Sequence, residues 1–149
     1  MTGVQTCALP IFLQSWNASA LTLGGATDGS SISVAANSVL VDSGVNLTAD
    51  QIFVVAQASI DLNGALASTS GKNGTTLATL PPTEVITLSN PGAALVAVSD
   101  VGLPVVARSG NGAGAAITLE SGSSLSSGGA LALDAPGNEI GRASCRERV

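Results

Sequence analysis

Apolar and polar residues alternate along this chain in runs of three or four positions, interrupted at short intervals by Gly, Asn, Ser and Asp. Ile32-Ser-Val34, Val45-Asn-Leu47, Ile86-Thr-Leu88, Ile117-Thr-Leu119 and Leu131-Ala-Leu133 each put two aliphatic side chains on one side of an extended backbone. The intervening small or polar residue faces the other side, which is the period of a strand. The interruptions carry residue types that tolerate tight corners and positive φ. Ala93–Val98 lacks the alternation and admits a helix, but the Gly, Ser and Thr density along the chain favours strand. A strand followed by a corner is expected at Val105–Ala107, inside the irregular patch Ser99–Gly114 that holds Pro104, Arg108 and SGNGAG.

The runs also repeat. Laying Ile32–Gly44 over Ile52–Gly64 matches Ile32 with Ile52, Val34 with Val54, Ala36 with Ala56, Leu40 with Ile60 and Gly44 with Gly64, a shift of 20 residues. Ile117–Gly129 reads as a third copy, with Ile117, Leu119, Ser123, Leu125 and Gly129 in phase, and Asn17 and Gly24 mark a fainter one before them. One such unit cannot bury its inward row alone, so units must stack. The expected fold is all-β, a parallel β-helix (solenoid) of roughly six coils of about 20 residues, about 30 Å long at the strand spacing. Ile32 and Ile52 would belong to one inward aliphatic ladder. An antiparallel sandwich also accommodates short strands and turns, but a repeat in fixed phase favours the helix. The stretch 67–84, ASTSGKNGTTLATLPPTE, breaks the period and is expected as an extruded loop. Its place on a rigid scaffold would suit binding, although a tolerated insertion is the simpler account.

Composition narrows the class. Only 10% of residues are charged and 45% are hydrophobic, the reverse of a disordered chain. Aromatics make up 2%, too few for a core built on large anchors, whereas 18 Gly among small and β-branched residues suit stacked strands joined by tight turns.

The two ends read differently from the rest. MTGVQTCALPI, residues 1–11, is what a common short-read sequencing adapter encodes in one frame, with a leftover T that suits the codon of Phe12. IGRASCRERV, residues 140–149, matches the partner adapter after a codon ending in AG, which suits Glu139. The expected organisation is therefore a β-helix repeat fragment over 12–139 between two non-native, disordered arms. Both cysteines, Cys7 and Cys145, and three of the five bases, Arg142, Arg146 and Arg148, fall in those arms. Between the junction residues Phe12 and Glu139 only Lys72 and Arg108 stand against Asp28, Asp42, Asp50, Asp61, Glu84, Asp100, Glu120 and Asp134. Two bases minus eight acids leave a net charge of −6, which argues against nucleic-acid or anionic-membrane binding. The run CALPIFL is too short to span a bilayer and lacks a basic leader.

The phrases ISVAANSVLVDSGVNLTAD and AITLESGSSLSSGGALALDAPGN resemble the large exoproteins of the filamentous haemagglutinin type, adhesins exported by two-partner secretion; autotransporter passengers are similar in style. The resemblance covers most of the chain between the arms, and it lies in composition and period. It implies a right-handed parallel β-helix that serves as the shaft of a secreted or cell-surface adhesin. It also implies an extracellular or outer-membrane location in a Gram-negative bacterium. The implied partners of the intact protein are an outer-membrane secretion protein and a host-cell or glycan surface. No nucleic acid partner and no membrane insertion are expected.

No catalytic, cofactor-binding or metal-ligating residue is assigned. The chain has no His, and outside the arms no Cys, so imidazole and thiol chemistry have no carrier there. The alternative function is a carbohydrate-binding or polysaccharide-active β-helix. It would need paired carboxylates or an aromatic platform on one face, around Asp50, Asp61 or the Lys72 loop. The acids are instead spread along the chain, mostly at turn positions, where Asp caps corners. Gly24–Gly29, GGATDG, lacks the repeating spacing of a glycine-rich calcium site. Asn17, Asn46 and Asn73 head formal glycosylation sequons of the kind that a Ser- and Thr-rich chain produces by chance, and Trp16 reads as a packing residue. Open coil ends are expected to pair edge to edge and to make the isolated chain poorly soluble.

Overall fold

A computed structural model of the chain describes residues 20–28, 31–68, 85–100, 102–108, 114–136 and 139–140, and among them the regular structure is entirely β. β1 (Ala20–Leu23) leads into an antiparallel pair, β2 (Gly25–Asp28) and β3 (Ser31–Val34), and then into β4 (Ser38–Val41) and β5 (Asn46–Ala49). β6 (Gln51–Ala56), β7 (Ser59–Leu62) and β8 (Ala65–Ser68) follow with short corners. β9 (Val85–Leu88), β10 (Ala94–Ser99) and β11 (Val105–Arg108) come next. The last strands are β12 (Ala116–Leu119), β13 (Ser124–Ser126), β14 (Ala130–Asp134) and β15 (Glu139–Ile140).

These strands form four sheets. Sheet I has the order β1-β6-β10-β14, sheet II β11-β9-β3-β2, sheet III β15-β12-β7-β4 and sheet IV β13-β8-β5. Sheets III and IV are parallel throughout. In sheet I β1 and β6 are parallel, whereas β10 runs antiparallel to both of its neighbours. Parallel neighbours in sheet III are therefore strands of different passes of the chain: β4, β7, β12 and β15 follow one another at intervals that include a visit to another sheet.

The alternation read from the sequence fixes which residues turn inward. β5 and β9 show it directly, with every second residue buried. β6 and β10 are buried at all six positions because sheet I is covered on both faces. On one face Ile52, Val54, Ala56, Ala94, Val96 and Val98 join Val41, Ile60, Leu62 and Ile117 of sheet III, or the residues next to it, and Leu47 and Leu66 of sheet IV in one core. On the other face Phe53, Val55, Leu95 and Ala97 pack against Ile32, Val34, Ile86 and Leu88 of sheet II in a second core. A continuous apolar run is the pattern of a strand covered on both faces, and it explains why Ala93–Val98 showed no period.

Hydrogen bonds continue round the corners. Before sheet III, Gln57 N donates to Ala36 O, Ala58 N to Asn37 O and Ala116 N to Ala58 O, at 2.9, 2.8 and 3.0 Å. After it, Gly64 N donates to Val41 O, Glu120 N to Leu62 O and Ser124 N to Gly64 O, at 3.0, 2.9 and 3.1 Å. At the next corner Asp100 N donates to Asp50 O and Gly129 N to Ser99 O, at 2.8 and 3.0 Å. Corner residues thus satisfy their main-chain groups in the same way as the strands do.

Several expectations are corrected. Ile32 and Ile52 do not share a ladder: Ile52 lies opposite Leu21 in sheet I, and Ile32 lies opposite Leu88 in sheet II. Their equal spacing is overridden because β2 and β3 leave the path between β1 and β4 to cover the outer face of sheet I. The third copy also shifts, since Ile117 lies on Ile60, with Val39 on its far side, rather than in line with Ile32. Leu40 does not match Ile60. Val39 does, at a shift of 21 residues, and Leu40 faces out opposite Asp61, 51% exposed. In sheet IV the shift is 19, with Leu47 on Leu66. The four-residue turn 42–45 and the two-residue turn 63–64 account for both values, and their mean is the 20 read from the sequence. A one-residue slip turns every side chain of a strand to the opposite face, so this small difference decides what is buried.

The number of passes is also corrected. No sheet holds more than four strands among the described residues, against an expected six coils, because β2, β3, β9 and β11 build sheet II. Ala67 and Ser68 belong to β8 rather than to a loop, and 69–84 lies outside the described residues. Val105–Ala107 is a strand, as expected, whereas most of the corner after it is outside them. Ile140, assigned to an arm, pairs with Ile117 through main-chain groups, which any residue can supply; residues 1–11 and 141–149 lie outside the described residues.

Candidate functional site

The surface available for function consists of the outward rows of the sheets and their corners. On sheet III the outward rows are Ser38–Ser59–Ala116 and Leu40–Asp61–Thr118. Ser59 Oγ donates to Ser38 Oγ at 2.9 Å along the first of them. On sheet IV they are Asn46–Ala65–Ser124 and Thr48–Ala67–Ser126. On sheet II Ser31 lies beside Thr87, and Val85 lies beside Val105, the last two both more than half exposed. These rows are short hydroxyl, amide and aliphatic side chains, able to form hydrogen bonds and van der Waals contacts but carrying little charge.

The acids do not share one row. Asp28 closes β2, where its carbonyl accepts from Ser31 Oγ at 3.2 Å. Asp42 lies in the turn after β4 and Asp61 in the middle of β7. Glu120 caps the turn after β12, its carbonyl accepting from Ser123 N at 3.0 Å and from Ser123 Oγ at 2.7 Å. Asp134 ends β14. Asp50 and Asp100 do meet at a corner, joined through the main chain, and the Asp100 carboxylate fills the space where a side chain on Gly128 would lie. Among the described residues no three Asp, Glu, His or Cys side chains converge to hold a metal ion. Of the positions weighed from the sequence, Trp16, Asn17, Lys72, Asn73 and Glu84 lie outside the described residues; Arg108 ends β11 and Asn46 heads β5, exposed.

The glycine pair inside Gly24–Gly29 has a packing role. Gly24 has φ +86°, and a Cβ there would collide with the Val55 carbonyl oxygen and come within 2.9 Å of Val39 Cγ2. Its own carbonyl accepts from Ala35 N and Ala36 N at 2.9 and 2.8 Å. The chain crosses closely over β6 here, and only glycine fits.

Sequence reasoning missed two polar side chains buried inside sheet I, Gln51 and Ser99, which face each other across β6 and β10. Ser99 Oγ donates to Gly102 O at 3.1 Å, which fixes the exit from β10. Their position at the ends of otherwise apolar runs, Gln51-IFVVA and ALVAV-Ser99, was the available signal. Among the described residues no helix is long and apolar enough to cross a membrane.

No protein family, curated protein or solved structure matches the chain in any of the three comparisons.

Proposed function

We propose that the chain is a structural segment, a piece of the shaft of a secreted or cell-surface bacterial adhesin, built as a right-handed parallel β-helix. The observation that carries this reading is the recurrent order in which strands join the sheets. β6, β7 and β8 visit sheets I, III and IV in turn, as β1, β4 and β5 do before them and as β10, β12 and β13 do after them. Each such pass is a tier, laid on the previous one by parallel ladders whose hydrogen bonds run on through the corners. Right-handedness follows the strong preference of parallel crossover connections. Ladders of Val39, Ile60 and Ile117, and of Leu47, Leu66 and Leu125, give the stack its interior.

The dispersal of the acids supports a shaft over a polysaccharide-active helix, because sugar hydrolysis needs two carboxyls set across one bond. The resemblance to exported exoproteins supports an extracellular setting, and the terminal segments that match adapters support reading 12–139 as the biological part.

Repeat duplication tests the architecture. In a stack each tier touches only its neighbours, so an extra tier is tolerated. A chain with residues 38–58 duplicated in tandem is expected to keep cooperative unfolding and to gain strand signal by circular dichroism. Loss of cooperative folding would overturn the stacked reading. A glycan-array screen of the parent chain is expected to give no signal, and saturable binding to one glycan class would move the function to the carbohydrate-binding alternative.

A further inference from the structure

We infer that this chain associates head to tail with a second copy of itself, the β1, β4 and β5 end of one copy seating on the β14, β12 and β13 end of another. The inference rests on the stacked reading of sheets I, III and IV. Its basis is a directional match at the two ends. Sheets III and IV are wholly parallel, so the free edge of their last strand offers to a newcomer what β7 offers to β12 and β8 to β13. Sheet I would break this rule if its reversed strand β10 lay at the edge. It does not: β14 is antiparallel to β10, and so regains the direction of β6 and β1. All three sheets therefore present edges that can receive a further tier in the same sense.

The side chains agree. Leu21 and Val39 at one end, and Leu119, Leu125 and Leu133 at the other, lie against the common core and are only partly buried. Leu131 has the parity of Leu133 in β14 yet is 45% exposed, because among the described residues nothing lies over it. The interface proposed between copies repeats the one between tiers within the chain, with Leu47 of the incoming copy continuing the ladder of Leu66 and Leu125. Such a contact is heterologous, and it leaves a free end after each addition, so it propagates instead of closing.

The two ends can be blocked separately in the full chain. Leu21→Lys places a charge at the first end and Leu131→Lys at the second, where a lysine stem can still reach water. The parent is expected to gain mass with concentration by light scattering, and each variant alone is expected to remain a monomer. An equimolar mixture is expected to double the monomer mass and stop there, since each dimer has both outer ends blocked. Leu40→Lys, on the outward face of sheet III, should associate like the parent. Circular dichroism checks that each variant is folded, and Leu23→Lys replaces Leu21→Lys if the latter unfolds. A parent that stays monomeric at all concentrations overturns the inference, as does a mixture that stays monomeric or grows past the dimer. Survival of the tier duplication alongside a monomeric parent would leave the shaft reading standing and sink only the association.

Discussion

The parity of sheet III can be tested by asking what two leucine-sized side chains twenty residues apart are worth. Ile60 is fully buried between Val39 and Ile117, and Leu40, which a shift of 20 would make its equivalent, is 51% exposed beside Asp61. Ile60→Ala removes three buried carbons at about 0.8 kcal/mol each, or about 2.4 kcal/mol of transfer free energy. The ladders above and below hold the neighbouring backbones about 4.8 Å away. The space therefore closes only in part, and the remaining cavity raises the expected loss to about 4 kcal/mol. Leu40→Ala touches one face of an exposed side chain and should cost about 0.5 kcal/mol. Val39→Ala, inward but near the end of the stack, falls between them at about 1.6 kcal/mol for two carbons. Urea unfolding followed by circular dichroism reads all three. The Leu131→Lys background keeps association from adding to the apparent stability. With a slope of about 1.5 kcal/mol per molar, Ile60→Ala should lower the midpoint by more than about 2 M and Leu40→Ala by less than about 0.5 M. Equal losses for Ile60→Ala and Leu40→Ala, or a harmless Val39→Ala, would show that the shift is 20 and that the inward row has been misassigned.

Two further substitutions probe the corners. Gly24→Ala adds a Cβ into the Val55 carbonyl and should abolish cooperative unfolding or lower stability by more than about 3 kcal/mol, whereas Gly44→Ala, at φ +85° in open space, should cost only about 1–2 kcal/mol; similar losses from the two would remove the close crossing as the reason for Gly24. Asn63 holds a buried Oδ1 with no hydrogen-bond partner, so Asn63→Ala should change the urea midpoint by no more than about 0.5 kcal/mol equivalent, and a loss of about 2 kcal/mol would reveal a partner for that oxygen.

Strand content and the short inward rows could be read from the sequence because each row carries its own evidence: Asn46-Leu-Thr-Ala49 and Val85-Ile-Thr-Leu88 alternate visibly and are buried at every second residue. Which sheet a row joins was not legible. Ile86-Thr-Leu88 and Ile117-Thr-Leu119 are the same three residue types, yet the first belongs to sheet II and the second to sheet III. Their destinations depend on the excursions between them, and local pattern carries no record of those. Ser38-Val-Leu-Val41 offers apolar residues of both parities, so either face could have been inward until the turn lengths fixed the register. Strand direction is equally silent: Ala94–Ser99 fills its place in sheet I in reverse, and an apolar run reads the same both ways. The absence of a convergent acid pair was more accessible, because Asp42 and Asp61 already differed in phase along the chain.

Sheet II has a mechanical consequence. In sheets III and IV the hydrogen bonds that join one tier to the next lie along the axis of the stack, so tension along that axis loads them one row at a time, and a shaft held only in this way would unzip. Sheet II lies alongside and pairs β3, from the first pass, with β9 and through it with β11, from the third. It is fastened to sheet I by a second apolar core, in which Phe53 and Leu95 are buried. A pull that parts the tiers at this level must break that lateral sheet and shear its core together with the rows beneath, so the segment resists force as a riveted joint rather than as a zipper.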